Sequence, residues 1–134
     1  MKIKRTYSTP EIIFDKDNCE LTFRGASFPE DANLFYEPIR QNIKEFFIDL
    51  NGSDKKVKIT CEFTMLNSVS TRYIYEFLRE ADMFSNQNNT VNIKWYYEYD
   101  DEDMGVDGEV FKHAFKKLNF DIIPVKDIDN IVIP

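Results

Sequence analysis

Val57, Ile59, Cys61, Phe63 and Met65 alternate with Lys58, Thr60, Glu62 and Thr64, a period of two that predicts a strand with one buried face. On the same logic Cys61 and Met65 belong to the inward set. Upstream, Glu11-Ile12-Ile13-Phe14 and Glu20-Leu21-Thr22-Phe23 are short apolar runs split by Asp15-Lys16-Asp17-Asn18, the pattern of a β-hairpin closed by turn-forming residues. Gly25 to Asn33 then reads as a loop. From Leu34 to Leu50 the period changes: Phe35, Ile39, Ile43, Phe46, Phe47 and Leu50 recur at helical spacing, and Asn51-Gly52 supplies a stop. Pro38 is expected near the first turn of that helix, because deeper inside it removes a hydrogen bond.

Beyond the alternating strand, Leu66-Asn67-Ser68 leads directly into Tyr73, Ile74, Phe77, Leu78, Ala81 and Phe84 at helical spacing. A second helix therefore starts close to Ser68, capped by Asn67 or Ser68, and ends before the polar run Ser85 to Asn89. Val91 to Tyr97 is another strand, Asp100 to Asp103 an acidic loop, and Val110, Phe111, Ala114, Phe115 and Leu118 the expected inner face of a third helix. Phe120 to Val125 closes the series as a last strand. The predicted order is ββαβαβαβ, an α/β fold in which helices pack on a mixed sheet.

At 134 residues the chain has the length of one domain, spanning 1–134. Aromatic residues make up 15% of it, more than disorder allows, so a packed core is expected. Seventeen Lys and Arg against 24 Asp and Glu leave a net charge of −7, which lacks the positive field that nucleic acid or an anionic membrane requires. No apolar run approaches the ~20 residues that span a bilayer. Cys19 and Cys61 lie far apart and form no CxxC pair, and the opening Met1-Lys2-Ile3-Lys4-Arg5 leads into polar residues, so a cytoplasmic protein with reduced thiols is expected.

Candidate chemistry is sparse. Gly25, Gly52, Gly105 and Gly108 form neither a dinucleotide-binding nor a P-loop spacing, so no nucleotide cofactor is expected. His113 is the only histidine, with no second ligand at metal spacing, and reads as a helix-surface residue. Asp100, Asp101, Glu102 and Asp103 invite a metal-assisted hydrolase reading, yet taking Gly105 as the turn glycine of a calcium loop puts Met104 at a ligand position. No metal or cofactor is expected to be needed for folding. A solvated acidic loop that begins the third helix at its positive dipole end accounts for the same residues.

The remaining candidate is Leu66-Asn67-Ser68-Val69-Ser70-Thr71. A run of hydroxyl residues at a strand-to-helix transition serves as a simple cap, or as a phosphoacceptor whose product gains from the helix dipole. Spacing alone leaves both open.

Four segments tip the balance. Ser8-Thr9-Pro10-Glu11-Ile12, Leu21 to Glu30 (LTFRGASFPE), Met65-Leu66-Asn67-Ser68 and Trp95-Tyr96-Tyr97-Glu98 follow the order found in the SiaC family of bacterial regulatory phosphoproteins, which the chain resembles from Ser8 to Phe120. The family's Leu-Asn-Thr-Ser-Ser segment carries a phosphorylated threonine, and Ser68 stands at that place. Ser70 and Thr71 remain alternative acceptors. The same strand, hydroxyl and helix order is similar to the STAS domains of anti-sigma-factor antagonists. The SiaC resemblance implies a non-catalytic switch: a partner kinase phosphorylates it, a PP2C-like phosphatase reverses this, and the unmodified form binds and activates a diguanylate cyclase. Asn67, Ser68, Arg72, Tyr75, Glu76 and Arg79 then form the expected partner surface, with Phe28 and Glu30 bordering it. The alternative functions are a small hydrolase built on the acidic loop and a purely structural oligomerisation module.

Overall fold

The computed structural model describes residues 1–85 and 89–131; Gln87 and its two neighbours in the predicted polar run lie outside them. The chain order is β1 (Lys2–Ile3), β2 (Glu11–Asp15), β3 (Glu20–Ser27), α1 (Ala32–Leu50), β4 (Lys56–Leu66), α2 (Ser68–Phe84), β5 (Thr90–Glu98), α3 (Glu102–Ala114) and β6 (Asn119–Val125). The expected mixed α/β architecture is present, with one strand more than the pattern predicts. β1 has two residues, too few for any alternation to show, and is held by pairing of Lys2 and Ile3 with Ile13 and Ile12.

The strands lie in sequence order in one sheet. β1 to β3 are antiparallel neighbours, and β3 to β6 are parallel. Each helix is thus the crossover between adjacent parallel strands. Because such crossovers are right-handed and all advance the same way, the three helices share one face of the sheet. The core confirms it: Leu21, Phe23, Ile59, Cys61, Ile93 and Trp95 form one buried cluster with Ile39 and Phe46 of α1, Phe77 and Leu78 of α2 and Phe111 of α3.

Several boundaries differ from expectation. Gly25 to Ser27 continue β3 instead of opening a loop, and α1 begins at Ala32, capped by the Asp31 side chain, which accepts from the Leu34 N–H. Pro38 therefore sits in the second turn of α1 rather than its first, on the exposed side. Tyr36 joins Ile39, Ile43, Phe46 and Phe47 as a buried residue, while Phe35 and Leu50 only flank the core. In β4 the register slips at Gly25, whose φ of +114° suits glycine: Phe63 pairs with Gly25, but Met65 pairs with Ala26. Thr64 is the extra residue of a bulge, and Met65 turns outward at 49% exposure.

The third helix departs most. It starts at Glu102, inside the predicted acidic loop, and ends at Ala114. Its inner face is Met104, Gly105, Gly108 and Phe111, whereas Val110 is 56% exposed and Ala114 is also exposed. Gly105 and Gly108 let the helix approach β5 closely. A Cβ on them would lie 2.9 Å from the Tyr97 ring and 2.6 Å from Trp95. Phe115 and Leu118 are buried, but past the helix end.

The opposite face of the sheet is polar. There Glu62, only 2% exposed, is ion-paired with Arg24, which also reaches Glu11 at 3.6 Å. The chain after β6 returns to this face through a 3₁₀ turn at Ile128–Asn130, pinned by Arg5 to Asp129 at 3.2 Å and by the Ile128 N–H to Glu98.

Candidate functional site

The hydroxyl run sits where β4 gives way to α2. Asn67 is extended and caps the helix, its Oδ1 accepting from the Ser70 N–H at 2.9 Å. The Thr71 N–H and Thr71 Oγ1 both donate to the Asn67 carbonyl, each at 2.9 Å. With Asn67 as cap, Ser68 becomes the first residue of α2, and its side chain is exposed. The three hydroxyls are therefore in different situations. Thr71 is half-buried and committed to a backbone carbonyl, Ser70 is 0% exposed, and Ser68 faces solvent.

Behind this turn lies a chain of buried hydroxyls that no motif or spacing announces. Ser27 Oγ at the end of β3 donates to Ser70 Oγ at 2.8 Å. With the Ser27 proton so used, the Tyr36 hydroxyl donates to Ser27. Burial pushes the Tyr36 phenol up to about 12, its bonds to the two serines pulling the other way. The Asn67 N–H donates to the Ser27 carbonyl at 3.1 Å, so β3, α1 and the start of α2 are joined by hydrogen bonds directly beneath Ser68. Tyr36 falls at helical spacing with Ile39, Ile43 and Phe46, but periodicity reads burial and carries no information on which partner a buried hydroxyl finds.

In front, Pro29, Glu30, Leu34 and Phe35 line a groove of about 1030 Å³ together with Asn67 and Val69. Glu30 thus borders the hydroxyl run as expected. Phe28 does not line it: its ring packs edge-on against Tyr7, with centroids 5.7 Å apart. On the outer side of α2, Arg72, Glu76 and Arg79 line a second cleft, of about 400 Å³, with Glu37, Arg40 and Tyr73. Glu76 pairs with Arg79 at 3.5 Å and Glu37 with Arg40 at 3.6 Å. Tyr73, half-buried and packed against the core as its spacing predicts, sends its hydroxyl outward to Asn33 and to Glu37. Tyr75 is 39% exposed, and its ring lies 4.9 Å from Phe115. One side of Tyr75 is thus occupied by the protein itself.

The competing sites are used structurally. Asp101 Oδ1 caps α3 by accepting from the Met104 N–H at 3.2 Å, and Glu102 and Asp103 form the acidic first turn. Among the described residues no group of three or more His, Cys, Asp or Glu is placed to hold a metal ion. His113 is exposed in the last turn of α3. Cys61 is fully buried, and burial pushes its thiol well above the usual range. Among the described residues no helix is long and apolar enough to cross a membrane.

Fold and local geometry together describe a small mixed α/β protein with a serine hydroxyl exposed at the start of α2 and an acidic run whose Asp101 caps α3. The family model described as SiaC family regulatory phosphoprotein matches residues 3–125, and the chain belongs to that family. A chain of the crystal structure of the diguanylate cyclase SiaD in complex with its activator SiaC from Pseudomonas aeruginosa superposes with a TM-score of 0.78 at 20% identity, covering 92% of this chain and 97% of that one. Apo-SiaC from Pseudomonas aeruginosa gives 0.77 at 20% identity, with 92% and 96% covered. No curated protein matches the chain significantly.

Proposed function

We propose that the chain is a phosphorylation-switched activator with Ser68 as its acceptor, acting in the cytoplasm by binding a partner and not by catalysis. The observation that carries this reading is the sorting of the hydroxyl run: Ser68 is exposed at the first position of α2, while Ser70 is buried and Thr71 is bonded to the Asn67 carbonyl. A kinase needs a hydroxyl it can reach. The partner is a diguanylate cyclase, a role supported by family membership and by the cyclase complex of the structurally similar SiaC. A serine/threonine kinase adds the phosphate and a PP2C-like phosphatase removes it. Adding about −1.5 to −2 charges to a surface shaped for a neutral hydroxyl disfavours binding through repulsion and desolvation.

The test is to incubate wild type and Ser68→Ala with the kinase and ATP, map the phosphate by mass spectrometry, and measure cyclase binding by calorimetry. Phosphate on Ser68, absent from Ser68→Ala, with binding kept by the alanine variant, is the expected result. Phosphate on Ser70 or Thr71 moves the acceptor. No modification at all, with cyclase binding indifferent to Ser68→Glu, ends the regulatory reading.

A further inference from the structure

The cleft between α1 and α2 carries a charge that stands out on a chain of net charge −7. Three arginines, Arg40, Arg72 and Arg79, gather around Tyr73. Two are answered by neighbours on their own helix, Arg40 by Glu37 and Arg79 by Glu76. Arg72 is exposed and, among the described residues, has no ion pair. It lies four residues after Ser68 on α2, one helical turn on, where an acidic group at the earlier position and a cation at the later one interact favourably.

We infer that this cleft docks an acidic segment of a partner protein on Arg72, and that phosphate on Ser68 releases the segment by taking the Arg72 guanidinium for itself. The inference rests on the acceptor reading of Ser68. Charge complementarity selects the occupant. The chain as a whole repels acidic sequences, so an unpaired guanidinium between two arginines already balanced is the place where one gains most. Guanidinium is also suited to bidentate carboxylate recognition. Phosphate presents the same kind of acceptor oxygens as the carboxylate it displaces, carries more charge, and is tethered one turn away. It competes without needing any rearrangement of the fold.

The test places phosphoserine at position 68 by genetic encoding, which yields the modified full chain without any kinase. Nitrogen-15-labelled wild type, Arg72→Gln and the phosphorylated chain are each titrated with hexaglutamate, with hexalysine as control, while the arginine Nε–Hε signals are followed. Hexaglutamate is expected to move the Arg40, Arg72 and Arg79 signals to saturation, and hexalysine to leave them in place. Arg72→Gln should raise the Kd about threefold, the size of one exposed charge pair. Phosphoserine at 68 should raise it further and should shift the Arg72 signal before any peptide is added. Arginine signals that stay still with hexaglutamate, or a phosphorylated chain that binds it as well as the unmodified one, overturn the inference. A kinase that leaves Ser68 untouched counts against the acceptor reading alone, since the encoded phosphoserine bypasses that step.

Discussion

The turns that open α2 and α3 share one capping bond and differ in backbone and in chemistry, Asn67 being extended at ψ 173° and Asp101 bent to ψ 80°. In each, a strand ends and a polar side chain caps the helix by accepting an N–H three residues on, Asn67 from Ser70 and Asp101 from Met104. The positive end of α3 is answered permanently by Glu102 and Asp103 in its first turn, whereas the first turn of α2 holds no acidic residue. A helix start favours negative charge, so α2 is the one left with capacity to receive it. The packing behind them differs as well. α3 rests on glycines pressed against Trp95 and Tyr97, and Trp95 Nε1 donates to the Met104 carbonyl at 3.0 Å. The first turn of α2 rests on the hydroxyl chain of Tyr36, Ser27 and Ser70. Carboxylates in sequence look like chemistry and here serve structure; a neutral serine looks like a cap and is the group left free.

The sharpest way to break this comparison is at Ser68 itself. Ser68→Ala should abolish phosphorylation and leave the fold unchanged, because Asn67 and not Ser68 is the cap. Ser68→Glu supplies the missing charge. It should raise stability by about 0.5 kcal/mol through the helix dipole while weakening partner binding, read by urea denaturation and calorimetry on the same sample. Ser68→Glu that neither stabilises α2 nor affects binding would remove the contrast with α3.

The packing beneath α3 should tolerate less than that beneath α2. A methyl on Gly108 meets Trp95 at 2.6 Å, and Trp95 is fully buried with nowhere to move. Overpacking costs about 1 to 3 kcal/mol, and alanine returns about 1 kcal/mol in helix propensity. Gly108→Ala should therefore lower stability by up to about 2 kcal/mol. Gly105→Ala should cost less, since Tyr97 is only half-buried and can give.

Under α2 the corresponding change is Tyr36→Phe, which keeps the ring and removes the hydroxyl that donates to Ser27. The expected loss is about 1 kcal/mol at neutral pH. The pH dependence runs the other way. The folded phenol titrates at about 12, above its ordinary value of 10.0, so its contribution is intact below pH 10 and is lost as pH rises towards 12. Wild type should lose stability over that interval more steeply than Tyr36→Phe, and denaturant titrations at several pH values would compare the slopes.

How far these two junctions were legible differs for physical reasons. The β4–α2 turn is readable because a different period lies on each side of it: alternation runs through Phe63, helical spacing starts with Tyr73, and the polar stretch between them holds Asn67 and Ser68. The inner face of α3 is legible only in part, at Phe111, because Gly105 and Gly108 carry no hydropathy signal. Val110 and Ala114 fill the vacant pattern and are exposed, while Phe115 and Leu118 are buried beyond the helix end. Met65 failed through a bulge that pairs Thr64 with nothing, a feature of β3 as much as of β4. The hydroxyl chain joins residues 27, 36 and 70, whose proximity exists only once the crossover brings β3, α1 and α2 together.

The smallest effect is expected at the acidic end of the comparison, where two influences nearly cancel. Asp103 lies in the first turn of α3, where its charge is worth about 0.3 to 1 kcal/mol against the helix dipole. It also stands four residues before Asp107, a like-charge spacing that costs about 0.2 to 0.5 kcal/mol. The carboxyl of Asp107 is held above the usual carboxylate range by burial first, then by Asp103 and Asp101. A raised carboxyl favours the fold below its ordinary titration range, and that contribution is lost as pH rises through the folded value. Asp103→Asn removes the favourable dipole charge and the repulsion together, so stability at neutral pH should change by less than about 0.5 kcal/mol. Asp107 should then titrate closer to an ordinary carboxylate, visible in the carbon-13 shifts of its side chain. Phosphorylation of Ser68 and cyclase binding should stay as in wild type. A large loss of either on this substitution would mean that the acidic turn takes part in function, and the division of labour between the two helix starts would have to be abandoned.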